Sequence, residues 1–400
     1  MKVEQIYEIV NSLTQQVTGK SDLVATDLSN IVDVGVETFD NTSVDNYVRK
    51  LVDHIGKVIF VNRPYQGNAP SIQMDGWEYG AVLEKIDCDI PDAEMNPTWG
   101  LTDGQTYNQD VFTAPKNVTA KFWADKVTFQ VSFSFADDQV KSAFSNVTQL
   151  NAFFSMIYTK IEMSFTIKLD SLIRMTISNL IGGTLYKDYE DTGYGDSSKI
   201  RSVNLLFLYN KTFGTELTAA KCLFDLEFIK FAARQIKLIS SHLKDPSYVF
   251  NVGGKLRHTP KDRQRIILLD QFAESANVYL QSDTFHNEFV KLPDADIISY
   301  WQGTGESGYE FDDVSQIHIN LTNPTDGKST VEINAKGILG TIFDKEAAAV
   351  NCYNRRVTNH YNGLGEFTNF WYKMDAQYFN DFNENCIVFF VADPIPDVGG

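Results

Sequence analysis

The fold class is decided by residues 127–180, which read VTFQVSFSFADDQVKSAFSNVTQLNAFFSMIYTKIEMSFTIKLDSLIRMTISNL. Apolar and polar residues alternate over 127–135, which predicts a half-buried strand because successive side chains of a strand point to opposite faces. From 147 to 180 the apolar residues recur instead at three- and four-residue spacing, with neither proline nor glycine before Gly182-Gly183. This pattern predicts a helix on the order of 50 Å long. The β context favours its packing against a sheet, and coiled-coil pairing is the alternative.

Upstream of this stretch, helices are predicted at 1–20 and 43–56, followed by a strand at 57–62. The next segment contains five of the chain's 11 prolines, yet it also carries large aromatic residues that a flexible linker rarely holds. We therefore expect an extended β-arm over 64–126, with strands at 77–86 and 118–124. Its aromatic residues are candidate contacts with another subunit; they include Trp77, Trp99, Tyr107 and Phe112. The alternative is an irregular insertion folded onto its own domain.

Downstream of the long helix, the polar stretch 184–200 is typical of a surface loop. A strand is expected at 202–209 and a helix at 218–243 with Thr218 as its N-cap. A further strand and helix are expected at 265–269 and 271–281. The remaining strands are predicted at 314–321, 329–336, 338–343, 352–361, 366–379 and 386–391. The last of these, CIVFFV, has the continuous apolar character of a central strand that is buried on both faces.

Composition restricts the classes of function. The chain has 400 residues with 43% hydrophobic content, enough to bury a large core in two or three modules. Its 35 basic and 52 acidic residues give a net charge of −17, which argues against a protein that coats nucleic acid. No signal peptide or membrane-spanning stretch is expected from the sequence. Its four scattered cysteines predict reduced thiols rather than disulfides or zinc ribbons.

Motifs of enzymes are missing from the sequence. We find no nucleophile elbow, phosphate-binding loop or HExxH zinc motif, and no pair of the six histidines has metal-ligand spacing. The glycine-rich segment 303–308 lacks the βαβ context of a dinucleotide site. Acidic pairs such as Asp137-Asp138 and Asp312-Asp313 could serve as glycosidase carboxylates, but solvated surface is the ordinary outcome. We therefore expect no catalytic, cofactor or metal site.

One basic tract, KLRHTPKDRQR at 255–265, stands out from the acidic background. No aromatic residue is interleaved for base stacking, so an acidic surface of a partner subunit is the favoured counterpart over nucleic acid. A plain solvated loop is the alternative. The arginine pair Arg355-Arg356 lies at a predicted strand edge. The same two interpretations apply to it: contact with an acidic surface of a partner subunit, or a plain solvated position. The candidate subunit-contact cations are Lys255, Arg257, Arg263, Arg355 and Arg356.

The order of these elements resembles that of the major capsid proteins of tailed bacteriophages, whose fold is shared with encapsulins. Residues 120–144 resemble the return of that family's extended loop, and 147–182 resemble its spine helix. Residues 337–350 resemble its strand–turn–helix with an Asp-Lys/Arg pair, here Asp344-Lys345, and 383–394 resemble its last strand.

The resemblance implies an α+β capsid fold with an N-terminal arm, an extended β-arm, a long spine helix, and peripheral and axial domains. Five segments follow from it. They are the N-terminal arm and start of the peripheral domain (1–63), the extended β-loop (64–126), the peripheral domain with the spine helix (127–199), the axial domain (200–335), and the return strands of both domains (336–400).

The implied function is that of a structural, non-enzymatic subunit. Pentamers and hexamers of the chain would form an icosahedral shell around phage double-stranded DNA, assembled in the bacterial host cytoplasm and found in the virion. Scaffold, portal and decoration proteins are the implied further partners, with no membrane and at most non-specific contact with DNA. The alternatives are an encapsulin-like nanocompartment shell and a carbohydrate-binding or glycoside-cleaving surface protein.

Overall fold

The computed structural model describes residues 11, 15, 70–73, 83–91, 93, 103–104, 117–124, 126–136, 147–190, 197–282, 295–302, 310–324 and 327–393. The chain divides into two compact units. The first comprises Met1–Asn68, Lys126–Leu172 and Asn351–Gln377, and the second comprises Ala69–Asp125, Ile173–Val350 and Tyr378–Gly400. The helices predicted at 1–20 and 43–56 and the strand at 57–62 lie outside the described residues, apart from residues 11 and 15.

The first unit is built around a three-stranded sheet. Strand β3 (Lys126–Ala136) pairs antiparallel with β11 (Phe367–Asn380), and β10 (Ala348–Asn362) flanks β11 on its other side. The alternation of β3 is confirmed, because its apolar residues are half-buried or buried while the intervening polar residues are exposed. Phe135 is buried, with its ring centroid 5.5 Å from that of Phe370 on β11.

The long helix is confirmed as one uninterrupted element. Helix α1 (Val147–Asp188) has 42 residues and continues through the two glycines that were expected to end it. The expected start of a loop at 184 is therefore wrong. A Cβ atom added to Gly182 would lie 2.5 Å from Cδ1 of Ile319, so this glycine permits close packing within the second unit rather than terminating the helix.

A five-stranded sheet forms the centre of the second unit. Its strand order is β4 (Ser202–Asn204), β12 (Cys386–Phe390), β9 (Ile338–Asp344), β5 (Gln264–Leu269) and β6 (Asp296–Ile298). Strand β12 pairs parallel with β4 and antiparallel with β9, and all five of its residues are buried, which confirms it as a central strand. Helices that contribute to this core include α2 (Leu205–Phe213), α4 (Leu226–His242) and α5 (Asp270–Ser282).

Two predictions in the second unit are wrong because a helix N-cap lies inside each predicted element. The strand predicted at 202–209 stops at Asn204, whose side-chain oxygen accepts the backbone N–H of Phe207 and begins α2. The helix predicted at 218–243 divides into α3 (Ala219–Cys222) and α4. Asp225 accepts the backbone N–H of Phe228 at 2.7 Å, whereas the Thr218 side chain makes no capping hydrogen bond.

The predicted strand–turn–helix at 337–350 is also wrong. Strand β9 leads through a turn at 345–347 directly into β10, so no helix follows the Asp344-Lys345 pair. The alanine-rich AAAV tract has high helix propensity, but residues 347–350 are buried and the backbone N–H of Val350 donates to the carbonyl of Ile72. Tertiary pairing therefore overrides local propensity here.

The remaining strand predictions agree with the structure, except at 314–321. There a short helix, α6 (Phe311–Val314), precedes β7 (Ile317–Thr322), which pairs with β8 (Thr330–Ala335). Two antiparallel strands, β1 (Leu83–Asp87) and β2 (Thr119–Trp123), form what we call the ribbon. Strand β1 overlaps the strand expected at 77–86 and ends one residue beyond it, and β2 falls within the strand expected at 118–124. Residues 74–82 lie outside the described part of the chain.

Candidate assembly interface

The ribbon has two chemically different faces. Its inward face carries the charged residues Lys85, Asp87 and Lys121, and Trp123 packs there with its ring centroid 5.1 Å from that of Phe379. Its outward face carries large apolar side chains, including Ile86 at 68% exposure and Phe122 at 61%. This arrangement reverses the usual preference for apolar residues inside and charged residues outside.

A buried carboxylate explains why the lysines turn inward. Lys85 and Lys121 are directly opposite each other in the ribbon, an unfavourable like-charge pair. Asp381 offers one carboxylate oxygen to each Nζ, both at 2.9 Å, and its side chain is only 1% exposed. Burial raises the pKa of Asp381, but the hydrogen bonds and charges of Lys121 and Lys85 outweigh that effect, so its pKa lies below the usual value.

One of the predicted cations, Arg257, extends this cluster. Lys85 also contacts Glu384 at 2.6 Å, and the guanidinium of Arg257 lies 3.3 Å from Glu384 and 2.7 Å from Asp87. The basic tract therefore neutralises acidic side chains of its own chain at this point.

Arg263 makes a similar set of ion pairs at the turn after β9. Its guanidinium is 3.1 Å from Asp344 and 2.6 Å from Glu346. Glu346 in turn lies 3.5 Å from Nζ of Lys85, which links this pair to the ribbon. Arg263 donates hydrogen bonds to Glu346 and Asp344, and these bonds raise its pKa above the ordinary value.

A groove of about 350 Å³ runs beside the end of β1. Lys255 pairs with Asp89 across it at 2.8 Å, and Arg257 pairs with Asp87. Because each cation in the groove faces a carboxylate, its walls do not present the excess positive charge that a phosphate site needs. Lys255, Arg257 and Arg263 thus each have an acidic partner within the second unit, and a contact with another subunit stays a prediction for them.

In the first unit, Arg356 is part of a different cluster. Asp375 of β11 has a fully buried side chain, and it accepts from Arg356 at 2.6 Å and Lys126 at 2.9 Å. Thr128 and Asn354 donate to the same carboxylate. Burial raises the pKa of Asp375, yet these donors outweigh it and hold the pKa well below its usual range. The cluster connects all three strands of the sheet.

Arg355, the neighbour of Arg356, makes a weaker contact. Its guanidinium lies 3.9 Å from a carboxylate oxygen of Glu162 on α1. The two adjacent arginines therefore differ in the geometry of their ion pairs. The aromatic candidates Trp77, Trp99, Tyr107 and Phe112 lie outside the described residues.

Sequence reasoning missed the residues that anchor the ribbon: Lys85, Lys121, Asp381 and Glu384. The period-two pattern of LEKID and TAKFW does place both lysines on one face. Their acceptors lie in the turn between β11 and β12. Asp381 is 296 residues and Glu384 is 299 residues from Lys85 along the chain. No local pattern predicts such a pairing.

The described residues also include potential metal ligands, long helices and cysteine thiols. Within those ranges, no set of three His, Cys, Asp or Glu side chains is placed to hold a metal ion. No helix in the described part of the chain is long and apolar enough to cross a membrane. All four cysteines are unpaired, and burial raises the pKa of Cys222 and Cys352 to about 12 and that of Cys386 to about 11. A high thiol pKa disfavours nucleophilic chemistry at these three positions.

This chain is similar to proteins of several bacteriophages. The major capsid protein of Bacillus phage GA-1 is 25% identical over 190 residues, which cover 46% of this chain and 39% of the length of that protein. Among solved structures, the capsid structure of Staphylococcus phage Andhra has 12% identity and a TM-score of 0.49, covering 82% of this chain and 86% of that one. A bacteriophage P68 structure, of its head fiber and inner core protein gp22, has 11% identity and a TM-score of 0.48, covering 80% and 83%.

The family comparison extends much further along the chain. The model of the Phi29-like phage major capsid protein family matches residues 6–390. That range includes most of both compact units and every strand and helix described above. Because the match covers nearly all of its 400 residues, the chain belongs to the Phi29-like phage major capsid protein family.

Proposed function

We propose that this chain is the structural subunit of an icosahedral shell that encloses phage double-stranded DNA. The observation that carries the proposal is the family match over residues 6–390. The subunit makes pentamers and hexamers with copies of itself and catalyses no reaction. Closed rings repeat the same heterologous contacts, so each contact can be modest while many act together.

The long helix supports this function mechanically. At about 1.5 Å per residue, the 42 residues of α1 extend over roughly 60 Å, and no break divides them. A long helix without a break is what the proposed capsid fold requires at this place in the chain. Helix α1 is the spine helix in this proposal.

The proposed domain organisation follows the five segments that the resemblance implies. Residues 1–63 are the N-terminal arm and the start of the peripheral domain, and 64–126 are the extended loop. Residues 127–199 form the peripheral domain with the spine helix, and 200–335 form the axial domain. Residues 336–400 supply return strands, in keeping with β9 and β12 in the five-stranded sheet and β10 and β11 in the three-stranded sheet.

The ribbon is the base of the extended loop in this organisation. Its antiparallel pairing supports that assignment, because residues 88–118 then leave and return as one loop. We propose that Trp77, Trp99, Tyr107 and Phe112 contact a neighbouring subunit, because buried aromatic side chains often dominate interface energetics. The cations Lys255, Arg257, Arg263, Arg355 and Arg356 are proposed to border such contacts.

The acidic balance suits a container for DNA. A net charge of −17 disfavours tight binding to phosphates, so packaged DNA meets the inner wall without being held on it. We propose that assembly takes place in the bacterial host cytoplasm, that the virion is the final location, and that scaffold, portal and decoration proteins are further partners.

Sedimentation of the purified full-length chain over a concentration series tests this function. Particles or capsomers far larger than 45.2 kDa are expected to appear above a threshold concentration. A monomer at every concentration, with and without phage lysate, would contradict the proposal. Nuclease-protected double-stranded DNA inside particles from infected cells is the expected content, whereas an enclosed enzyme would support the encapsulin-like alternative.

A further inference from the structure

We infer that three cations on helix α4, Lys230, Arg234 and Lys237, form a contact surface for the phosphate backbone of packaged double-stranded DNA. We call this surface the cationic stripe. The contact is weak and independent of base sequence. The inference rests on the proposed function, which supplies the DNA, and deepens it by naming the residues that meet the DNA. All three residues lie in the described part of the chain.

The cationic stripe follows from the spacing of its residues along α4. Lys230, Arg234 and Lys237 are separated by four and then three residues, so their side chains share one face of the helix. The other face is buried in the core of the second unit through residues such as Phe228 and Ile236. Arg234 is exposed, and Lys230 and Lys237 are half-buried. The core thus holds the three cations on the solvent side of α4.

The charge of the cationic stripe differs from that of the chain as a whole. The chain has a net charge of −17, yet residues 228–244 contain no aspartate or glutamate. One carboxylate lies at the N-terminal end of the stripe, where Glu227 is 3.3 Å from Nζ of Lys230. The Glu227 side chain is 69% exposed, so this ion pair contributes little and a phosphate can compete for the lysine.

The neighbouring helices do not cancel this excess of cations. Helices α2 and α5 both pack against α4. Helix α2 carries one cation, Lys211, and α5 carries two carboxylates, Asp270 and Glu274. Lysine and arginine therefore still outnumber aspartate and glutamate on the three helices together, the reverse of the balance in the whole chain.

The chemistry of the cationic stripe fits DNA better than a protein partner. The stripe continues to the exposed Ser241, and the apolar Leu238 borders it at 41% exposure. Protein interfaces usually centre on fully buried aromatic or apolar anchors, whereas non-specific DNA contact needs only cations near phosphates. Between Lys230 and Lys237, α4 rises about 10 Å. Duplex DNA presents about six phosphates over that length, so each cation can meet one.

Net charge determines the strength of this contact. A charge of −17 opposes the approach of DNA, so the contact of each subunit is weak and is lost as the salt concentration rises. A shell repeats the contact in every copy, and many weak contacts act together. The inference requires the cationic stripe to face the inside of the shell.

Fluorescence anisotropy of a short DNA duplex, titrated with dissociated full-length subunits at low salt, tests the inference. The triple variant Lys230→Gln, Arg234→Gln, Lys237→Gln should bind the duplex at least tenfold more weakly than the unchanged chain. The slope of log K against log salt should become less steep by about 2–3, because each lost phosphate contact removes about 0.9. Glutamine is a good helix former, so the unfolding temperature of the subunit should stay nearly unchanged.

The matched control is Lys160→Gln, Lys168→Gln, Lys336→Gln, which removes the same charge from exposed positions outside α4. It should keep most of the affinity for the duplex. Equal weakening in the two variants would overturn the inference, because net charge alone would then decide binding. Absence of binding by the unchanged chain would overturn it as well. Binding of poly-glutamate without binding of DNA would assign the stripe to an acidic protein and contradict the inference.

Lysine acetylation of particles made of the unchanged chain gives a second test. Lys230 and Lys237 should react at least threefold more slowly in DNA-filled particles than in empty ones, while Lys160 and Lys168 should react equally in both. Equal reaction of Lys230 and Lys237 in filled and empty particles would overturn the inference. If the unchanged chain assembles but these lysines are not protected, only this inference fails; if the unchanged chain never assembles, the proposed function itself fails.

Discussion

Lys85 and Lys121 lie directly opposite each other in the ribbon, and both reach the carboxylate of Asp381 at 2.9 Å. Two like charges at opposed positions weaken a strand pair unless a counter-charge is shared between them. Asp381 is that counter-charge. Because it lies in the turn after β11, its ion pairs connect the ribbon to the rest of the second unit. The residue thus links the pairing of two short strands to the turn after β11.

Replacement of Asp381 is expected to loosen the ribbon selectively. Asp381→Asn keeps the shape of the side chain but removes its charge, which leaves Lys85 and Lys121 to repel each other. We expect a loss of about 2–3 kcal/mol in the free energy of unfolding, below the full value for a buried pair because Lys121 is 39% exposed. Urea denaturation measures the loss, and hydrogen exchange of peptides covering 83–91 and 117–124 should show faster deuterium uptake.

The control for this change is Asp262→Asn at an exposed position of the basic tract. Most surface substitutions change stability by less than about 0.5 kcal/mol. Equal effects of the two substitutions, or faster exchange in the core strands rather than in the ribbon, would show that Asp381 does not anchor the ribbon.

The same cluster predicts a defined dependence of stability on pH. Burial raises the pKa values of Asp381 and Glu346, but lysine and arginine partners outweigh it, so both pKa values are lowered. Groups with lowered pKa values stabilise the fold above their ordinary values and lose that contribution as the pH falls through the folded values. We therefore expect stability to fall below about pH 4.

Lys85 determines the alkaline limit of the pH range in which the cluster stabilises the fold. Burial lowers its pKa, but Glu384 and Asp381 outweigh that effect and the pKa is raised. Its contribution is complete below about pH 10.4 and is lost as the pH rises further. Urea midpoints measured from pH 3 to 11 should show a plateau between these limits. Asp381→Asn should flatten the acidic limb, and an unchanged slope in that variant would contradict the assignment.

The neighbouring arginines of β10 offer a matched comparison. Arg356→Met leaves the buried carboxylate of Asp375 without one of its two cations, so we expect a loss of about 2 kcal/mol in unfolding free energy. Arg355→Met removes a longer contact with Glu162 and should cost less than about 1 kcal/mol. Thermal unfolding of the dissociated subunit compares the two. A larger loss for Arg355 would show that the Asp375 cluster does not stabilise the sheet.

A tryptophan pair separates assembly from folding. Trp99→Ala should reduce particle yield while leaving the unfolding temperature of the subunit nearly unchanged, because we propose that Trp99 contacts a neighbour. Trp123→Ala is the control, since that ring packs against Phe379 of the same unit and its loss should lower the unfolding temperature. Both quantities can be measured on the same preparations by light scattering and calorimetry. Equal loss of particles and of subunit stability in Trp99→Ala would show that the loop packs only on its own chain.

Local signals in the sequence were sufficient where one period dominates. The alternation of β3, the uninterrupted apolar spacing of α1 and the apolar run of β12 each determine their element without help from the rest of the chain. Predictions failed where a single side chain or a distant partner decides. Asn204 converts an apolar run from strand to helix by one capping hydrogen bond, and the alanines before Val350 form a strand because distant backbone groups pair with them.

Only part of the candidate assembly interface could be predicted from local sequence patterns. The order of elements resembled that of tailed-phage major capsid proteins, and the family match confirms that resemblance. The basic tract was recognised, but its acidic partners within the chain were not, because Asp87, Asp344 and Glu384 come from three separate segments. Positions far apart in sequence meet only through the sheet order, which the sequence pattern does not encode.

Electron cryomicroscopy of particles formed by the purified chain tests the central claim most directly. We expect closed shells with five-fold and six-fold rings of this chain, in which α1 is continuous. A preparation that holds only monomers or irregular aggregates, under conditions where the subunit is folded, would contradict the assignment of this chain as a shell subunit.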